Sequence, residues 1–298
     1  MKDHILMQIA NVVSANVQKL KNPGLLEGKL GVAVFLYHYA RYSGLTSYSL
    51  LSDYLLDEIM VPSLWMQRSF SNGSSGIGWG IKYLLKKGFV QADDDFLEEL
   101  DNDIIRYIKE NMDEIIPDCC LYLMFSNLGI MNIALMEVIA MQVSRFSTSG
   151  NHQLTTLNKL LALTAQMHPR YSNPLLNRLI NLSLQAIDTK KFRHSDIIIC
   201  KTISEIFTSK HENNAWDILY DKCLHILTID DSQIEDCMET VWQNMVYWDN
   251  TDKVIHNMDC ISAKVTKIIK NFCIQDMFFS NGLPAIGMVL LNPDFHVD

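Results

Sequence analysis

Three absences narrow this 298-residue chain before any motif is read. It has no run of 18 or more apolar residues that could span a bilayer, and its start, Met1-Lys2-Asp3-His4, lacks the charged region and apolar block of a signal peptide. A cytoplasmic protein without membrane insertion is the expectation. No two of the seven cysteines have Cys-x-x-Cys spacing, and an odd, scattered set reads as reduced thiols rather than a disulfide framework. Positive charge is also scarce, with 25 Lys and Arg against 34 Asp and Glu, a formal charge of -9. That balance disfavours nucleic acid and anionic membrane and suits a cationic partner such as a basic peptide. A Gly-x-x-x-x-Gly-Lys-Ser/Thr phosphate loop and a Gly-x-Ser-x-Gly elbow are both missing. The Gly73, Gly76, Gly78 and Gly80 run follows no strand, so it does not read as a nucleotide site.

What is present is a motif that returns. Phe70-Ser71-Asn72-Gly73-Ser74-Ser75-Gly76-Ile77-Gly78 reappears near the end as Phe279-Ser280-Asn281-Gly282-Leu283-Pro284-Ala285-Ile286-Gly287. Weaker copies stand at Leu25-Leu26-Glu27-Gly28-Lys29-Leu30-Gly31-Val32-Ala33 and at Phe125-Ser126-Asn127-Leu128-Gly129-Ile130. Such recurrence signals a repeat architecture, and matching copies near both ends suggest a ring. Each copy opens an apolar segment with helical spacing: Val32, Phe35, Leu36 and Tyr39 after the first, Ile77, Ile81, Leu84 and Leu85 after the second. Second helices follow, marked by Leu51, Leu55 and Ile59, then by Leu97, Leu100, Ile104 and Ile108. Asp93-Asp94-Asp95 is expected to open the latter helix, where carboxylates favour the positive end of the dipole. The motif glycines are expected to permit close approach of loop and helix.

Further helices are expected over Met131 to Phe146, His152 to Met167, Pro174 to Ile187, Ile197 to Phe207, Ala215 to Leu227, Ile234 to Trp248 and Ile255 to Ile269. Pro174 suits a first helical turn. Ile197-Ile198-Ile199 is β-branched but has no second strand to pair with, so it reads as helix. No Pro/Gly/Ser-rich linker divides the chain, and residues 1–298 are expected to form one all-α domain.

The glycine pairs Gly28 with Gly31 and Gly73 with Gly76, and Gly282 with Ala285, each opening an apolar helix, resemble the lanthionine synthetase C-like family. The resemblance covers residues 22–112 and 277–291. It implies an α/α toroid of helix-hairpin repeats, here about six to seven with one incomplete, the fourth repeat's inner helix being unrecognisable. Peptide cyclases of that family add a cysteine thiol to a dehydrated serine or threonine. Their zinc is held by two cysteines and a histidine from Trp-Cys-Tyr-Gly and Cys-His-Gly motifs, and the metal keeps the substrate thiol deprotonated. Neither motif occurs here. Alignment sets Phe192-Arg193-His194-Ser195-Asp196 at the first motif, with Arg193 in place of a cysteine ligand. Cys237-Met238-Glu239 falls at the second. His152 and His168 are the only histidines near the fourth repeat, where the family places an acid/base histidine.

The resemblance thus implies a toroid without its zinc centre that binds a peptide or partner protein in connection with peptide modification. Two rivals stay open. A thioether-forming cyclase would need zinc on a rearranged set, Cys237, His194 and Cys200. A carbohydrate-active α/α toroid would need paired carboxylates, for which Glu27 and Glu239 are the candidates. Trp242, Tyr247 and Trp248 either line a peptide cavity, together with Glu27, Arg193 and Glu239, or fill the core, the better reading for the tryptophans. Cys223 and His225 face different ways on a helix. Cys119-Cys120 reads as a pair of small hydrophobes. His194 beside Asp196, and His211 beside Glu212, read as solvated polar turns.

Overall fold

The computed structural model describes residues 1–61, 67–93, 95–111, 116–126, 133–146, 152–165, 169–208, 214–229, 242, 243, 245 and 258–291. The regular structure among these residues is helical, with no strand. The helices are α1 (Lys2–Asn16), α2 (Lys29–Ser43), α3 (Thr46–Ile59), α4 (Ser74–Lys86), α5 (Glu98–Glu110), α6 (Ile116–Ser126), α7 (Ile133–Phe146), α8 (Leu154–Ala165), α9 (Pro169–Asp188), α10 (His194–Thr208), α11 (Asn214–Ile229), α12 (Met258–Lys270) and α13 (Leu283–Leu291). The chain divides into two compact units: Met1–Leu100 with Cys237–Asp298, and Asp101–Asp236. The division at Leu100 falls inside α5, which is why no linker marks it in the sequence.

In the first unit, α2 is buried on nearly every side, from Leu30 through Tyr37 and on to Tyr39 and Ala40. A helix apolar all round belongs inside. Its partner α3 buries only Ser52, Leu55 and Ile59 and turns its other faces outward. The hairpin between them turns at Gly44, whose φ of 73° lies in the left-handed region and whose N–H donates to the Ala40 carbonyl. Helix α13 is buried from Leu283 to Leu290 and packs on both α2 and α1, so the helix at the carboxyl end takes the helix at the amino end as a neighbour. Helix α12 packs on α1, and α4 on α2.

The second unit repeats one arrangement three times. The hairpins α6–α7, α8–α9 and α10–α11 lie side by side, with α6 against α8 and α8 against α10 in one row, α7 against α9 and α9 against α11 in the other. Helix α8 buries nine residues, Asn158 and Thr164 among them, and α10 buries eight. All three hairpins have both helices. Ile197, Ile198 and Ile199 are helical, as read.

Two local expectations need correction. Helix α9 begins at Pro169, so Pro169 and not Pro174 takes the first turn, where a missing N–H is costless. The Asp93 run does not open α5 either. Asp93 and Asp95 lie upstream in a turn, their carbonyls accepting the N–H groups of Phe96 and Glu98. Asp94, the start of the helix expected from Met131, and most of the helix expected over Ile234 to Trp248 lie outside the described residues.

Candidate functional site

The site is built from the three described copies of the glycine motif, all in the first unit. In each copy the loop turns back on itself so that a carbonyl six residues earlier presses on the glycine. A Cβ placed on Gly28 would lie 2.5 Å from the Asn22 carbonyl oxygen; on Gly73, 2.4 Å from that of Gln67; on Gly282, 2.4 Å from that of Asp276. The second glycine meets the same obstacle, with Gly31 at 2.1 Å from the Leu25 oxygen and Gly76 at 1.9 Å from the Phe70 oxygen. Gly28 and Gly73 have extended backbones, φ −144° and −115°, so closeness and not dihedral angle demands glycine there. The crowding expected from neighbouring helices thus comes first from the loop's own backbone.

Neighbouring copies also meet in the same way twice. The Ser280 N–H donates to the Leu26 carbonyl at 3.1 Å, and the Leu26 N–H donates to the Ser71 carbonyl at 2.9 Å. These three residues hold one position in the motif, two before its first glycine. The apolar residue just before them follows suit: Phe279 lies against Gly31, and Leu25 against Gly76. That accounts for the Phe or Leu opening each copy, since Leu25, Phe70 and Phe279 are all buried. Phe70 also joins an aromatic cluster, its ring 6.0 Å from Trp79 and 5.9 Å from Trp242.

The residue just before the first glycine is Glu27, Asn72 and Asn281 in the three copies. The Asn72 amide donates to the Glu27 carboxylate at 2.8 Å, while the Asn72 carbonyl oxygen is buried without a donor. Both groups are half-buried at the residue level. The half-exposed Glu27 carboxylate, steadied by Asn72, is therefore the acceptor at this face, chemistry that suits an N–H donor of a peptide or a cationic side chain. Lys29, two residues on, is paired with Glu58 at 2.6 Å, which holds the Glu58 carboxyl below its usual range.

The other sequence candidates lie elsewhere. Trp242 is buried against Phe70 and fills core, the favoured of its two readings. Arg193, expected at a ligand position, is exposed, and its guanidinium pairs with Asp196 at 3.3 Å. Asp196 is 1% exposed and not the solvated turn residue expected. Its carboxylate accepts from the Arg193 N–H at 2.9 Å and the Thr155 hydroxyl at 2.9 Å, and its carbonyl accepts from Asn158, tying α10 to α8. Cys223 is buried and His225 exposed, in agreement with their opposed directions. Cys119 and Cys120 are fully buried on α6, and burial pushes the Cys120 thiol up. Cys237, Glu239, Tyr247, Trp248, His168, His211 and Glu212 lie outside the described residues, as does the motif copy at Asn127.

His194 and Cys200 stand six residues apart on α10, about 9 Å along the axis and on different faces. Cys200 is buried and paired with Cys223, whose hydrogen bond, with burial, holds its thiol well above the usual range. Zinc needs thiolates and imidazole converging at about 2.0–2.3 Å. His194 and Cys200 do not fit a shared ion, and no group of three His, Cys, Asp or Glu suited to a metal occurs among the described residues.

Sequence reasoning missed His38. Its ring nitrogen is 2.8 Å from the Tyr83 hydroxyl, and Phe89 meets it edge-on at 4.7 Å. Burial, then the nearby charges of Arg41 and Lys87, push its pKa down to about 4. Nothing in its sequence neighbourhood distinguishes it from a surface histidine; only the packing of α2 on α4 does.

No helix among the described residues is long and apolar enough to cross a membrane. No known protein family, curated protein or solved structure matches the chain.

Proposed function

We propose that the protein is a lanthionine synthetase C-like α/α toroid that binds a peptide or partner protein at its glycine-loop face, in connection with peptide modification and without the family's zinc. The observation that carries this reading is the repeated relation between motif copies, with one backbone bond and one apolar contact recurring from the last copy to the first and from the first to the second. Repeats related by a constant operation generate rings or open arrays. The thirteen helices among the described residues are in keeping with about six to seven hairpin repeats, one of them incomplete. Glu27, held by the Asn72 amide, supplies an acceptor for a peptide N–H group at the same face.

The zinc-free part of the proposal rests on the absence of Trp-Cys-Tyr-Gly and Cys-His-Gly and on the poor fit of His194 with Cys200. Plasma mass spectrometry of the untagged full chain, purified without chelator from zinc-replete cells, tests it. The expected result is only trace zinc. Near-stoichiometric zinc, lost on replacing Cys237, would overturn it in favour of a thioether cyclase.

A further inference from the structure

In a chain whose formal charge is -9, one corner of the first unit gathers positive charge. Residues 4–26 contain no Asp or Glu and residues 260–275 contain none, although the chain has 34. These stretches hold most of α1 and α12, which pack on each other. Their carboxyl ends meet. Helix α1 runs on into a 3-10 turn, Val17–Lys19, and the Lys19 ammonium stands 5.9 Å from the centre of the Phe272 ring, two residues beyond α12. Lys21 lies two residues past Lys19, and Lys267 and Lys270 are in the last turn of α12. All four lysines are exposed. Ile274, 38% exposed, and the half-buried Phe272 add a small apolar surface beside them.

No carboxylate pairs with any of the four among the described residues. Lys19 bonds to a neutral group, the Asn16 side-chain oxygen, at 2.6 Å. The acids nearest in sequence are turned elsewhere: the Asp276 carboxylate accepts the Cys273 N–H at 2.7 Å, and the Glu27 carboxylate accepts from the Asn72 amide. Unpaired lysines are ordinary on a protein surface; four gathered where two acid-free segments meet are not. Helix dipoles explain part of the gathering. Each helix carboxyl end presents about half a negative charge, so two ends offset roughly one of the four ammonium charges and about three are left for a partner.

We propose that this corner docks a short acidic segment of a partner protein, its carboxylates facing Lys19, Lys21, Lys267 and Lys270 and one apolar side chain resting on Ile274 and Phe272. The charges supply selection and rate of encounter. A lysine ammonium is a compact point charge on a flexible stem, which suits carboxylates whose spacing is not fixed in advance. Size decides between anionic partners. At physiological ionic strength charges are screened beyond about 8 Å, so a short segment seated on the corner responds chiefly to the four lysines. A membrane or a nucleic-acid duplex extends far past that distance and meets the acidic remainder of the chain. The corner owes nothing to Glu27, to ring closure or to zinc, so the proposed function and this docking can fail separately.

The test is fluorescence anisotropy of two labelled nine-residue peptides, one rich in Asp and Glu and one in Lys, each with a central Leu, titrated with the full-length chain. The acidic peptide is expected to bind, more weakly as salt rises, and the lysine-rich one to fail. Lys19→Glu/Lys21→Glu and Lys267→Glu/Lys270→Glu variants, matched to the parent by circular dichroism, are each expected to weaken binding at least tenfold. Because the four lysines are exposed, reversing their charge spares the core. Lys109→Glu/Lys191→Glu makes the same change of charge in the second unit, and it and Glu27→Gln are expected to leave affinity within twofold. Absence of binding, equal binding of the lysine-rich peptide, unchanged affinity in both corner variants, or an equal loss in either control would overturn the proposal. Tighter binding of phosphatidylserine vesicles or duplex DNA than of the acidic peptide, or a dimer in sedimentation, when lost in the corner variants, would overturn it in favour of that occupant.

Discussion

The two units hold their helices together by different means. Of the 13 glycines, only Gly129 and Gly150 fall in the second unit. The first unit joins its motif helices backbone to backbone, through loops that give up side chains to come close. The second unit uses side chains for the same purpose. Asp196 accepts from Thr155, Lys159 pairs with Asp118, Asn158 donates to the Asp196 carbonyl, and Gln142 donates to the Ile108 carbonyl. Similar hairpins can thus be registered by steric fit or by polar recognition. The first is intolerant of added atoms, the second of lost ones.

The contrast can be broken most severely at Gly76. A methyl there would lie 1.9 Å from the Phe70 carbonyl oxygen, so Gly76→Ala is expected to cost ~3 kcal/mol or more in urea unfolding. Unchanged stability would refute backbone crowding as the reason for glycine.

Acid should weaken the first unit through His38. Its folded pKa, about 4, lies below the unfolded value of 6.5, so the unfolded chain binds the proton first. Stability is therefore full above pH 6.5 and falls as the pH drops towards 4, by up to roughly 3 kcal/mol. His38→Gln should flatten that part of the stability profile.

In the second unit, Asp196→Ala removes the acceptor for the Arg193 N–H and the Thr155 hydroxyl, and is expected to cost about 2 kcal/mol. Hydrogen exchange should quicken at the start of α10 while α2 is unaffected. The smallest effect belongs to Ala285, which stands in the third copy where Gly31 and Gly76 stand in the others. Ala285→Gly should cost no more than about 1 kcal/mol, from backbone entropy alone. A gain in stability would mean that the methyl is strained.

The glycine loops were legible in the sequence because close backbone approach leaves a signature in residue type. Helix periodicity was legible too: Leu100, Ile104 and Ile108 are buried on α5, and Leu97 is buried just before it. Hydrogen bonds between copies were not, since Ser280, Leu26 and Ser71 contribute only backbone groups that every residue carries. The role of Asp196 was hidden by neighbours, Arg193, His194 and Ser195, that are usual in solvated turns. Its acceptors are filled partly from Thr155, 41 residues away. The acidic run at Asp93 was read as part of a helix because composition alone does not separate a first turn from the turn before it. The glycine motif pointed to a face, whereas Glu27 with Asn72 became a site only when the loops were placed side by side.

The bonds that link the motif loops have a direction. Ser280 gives to Leu26, and Leu26 gives to Ser71, never the reverse. Two loops related by a two-fold axis would exchange their bonds reciprocally, and no pair among the described residues does. The loop face is therefore a vectorial tape with a donating end and an accepting end. Growth by duplication can lengthen it or bring its ends together.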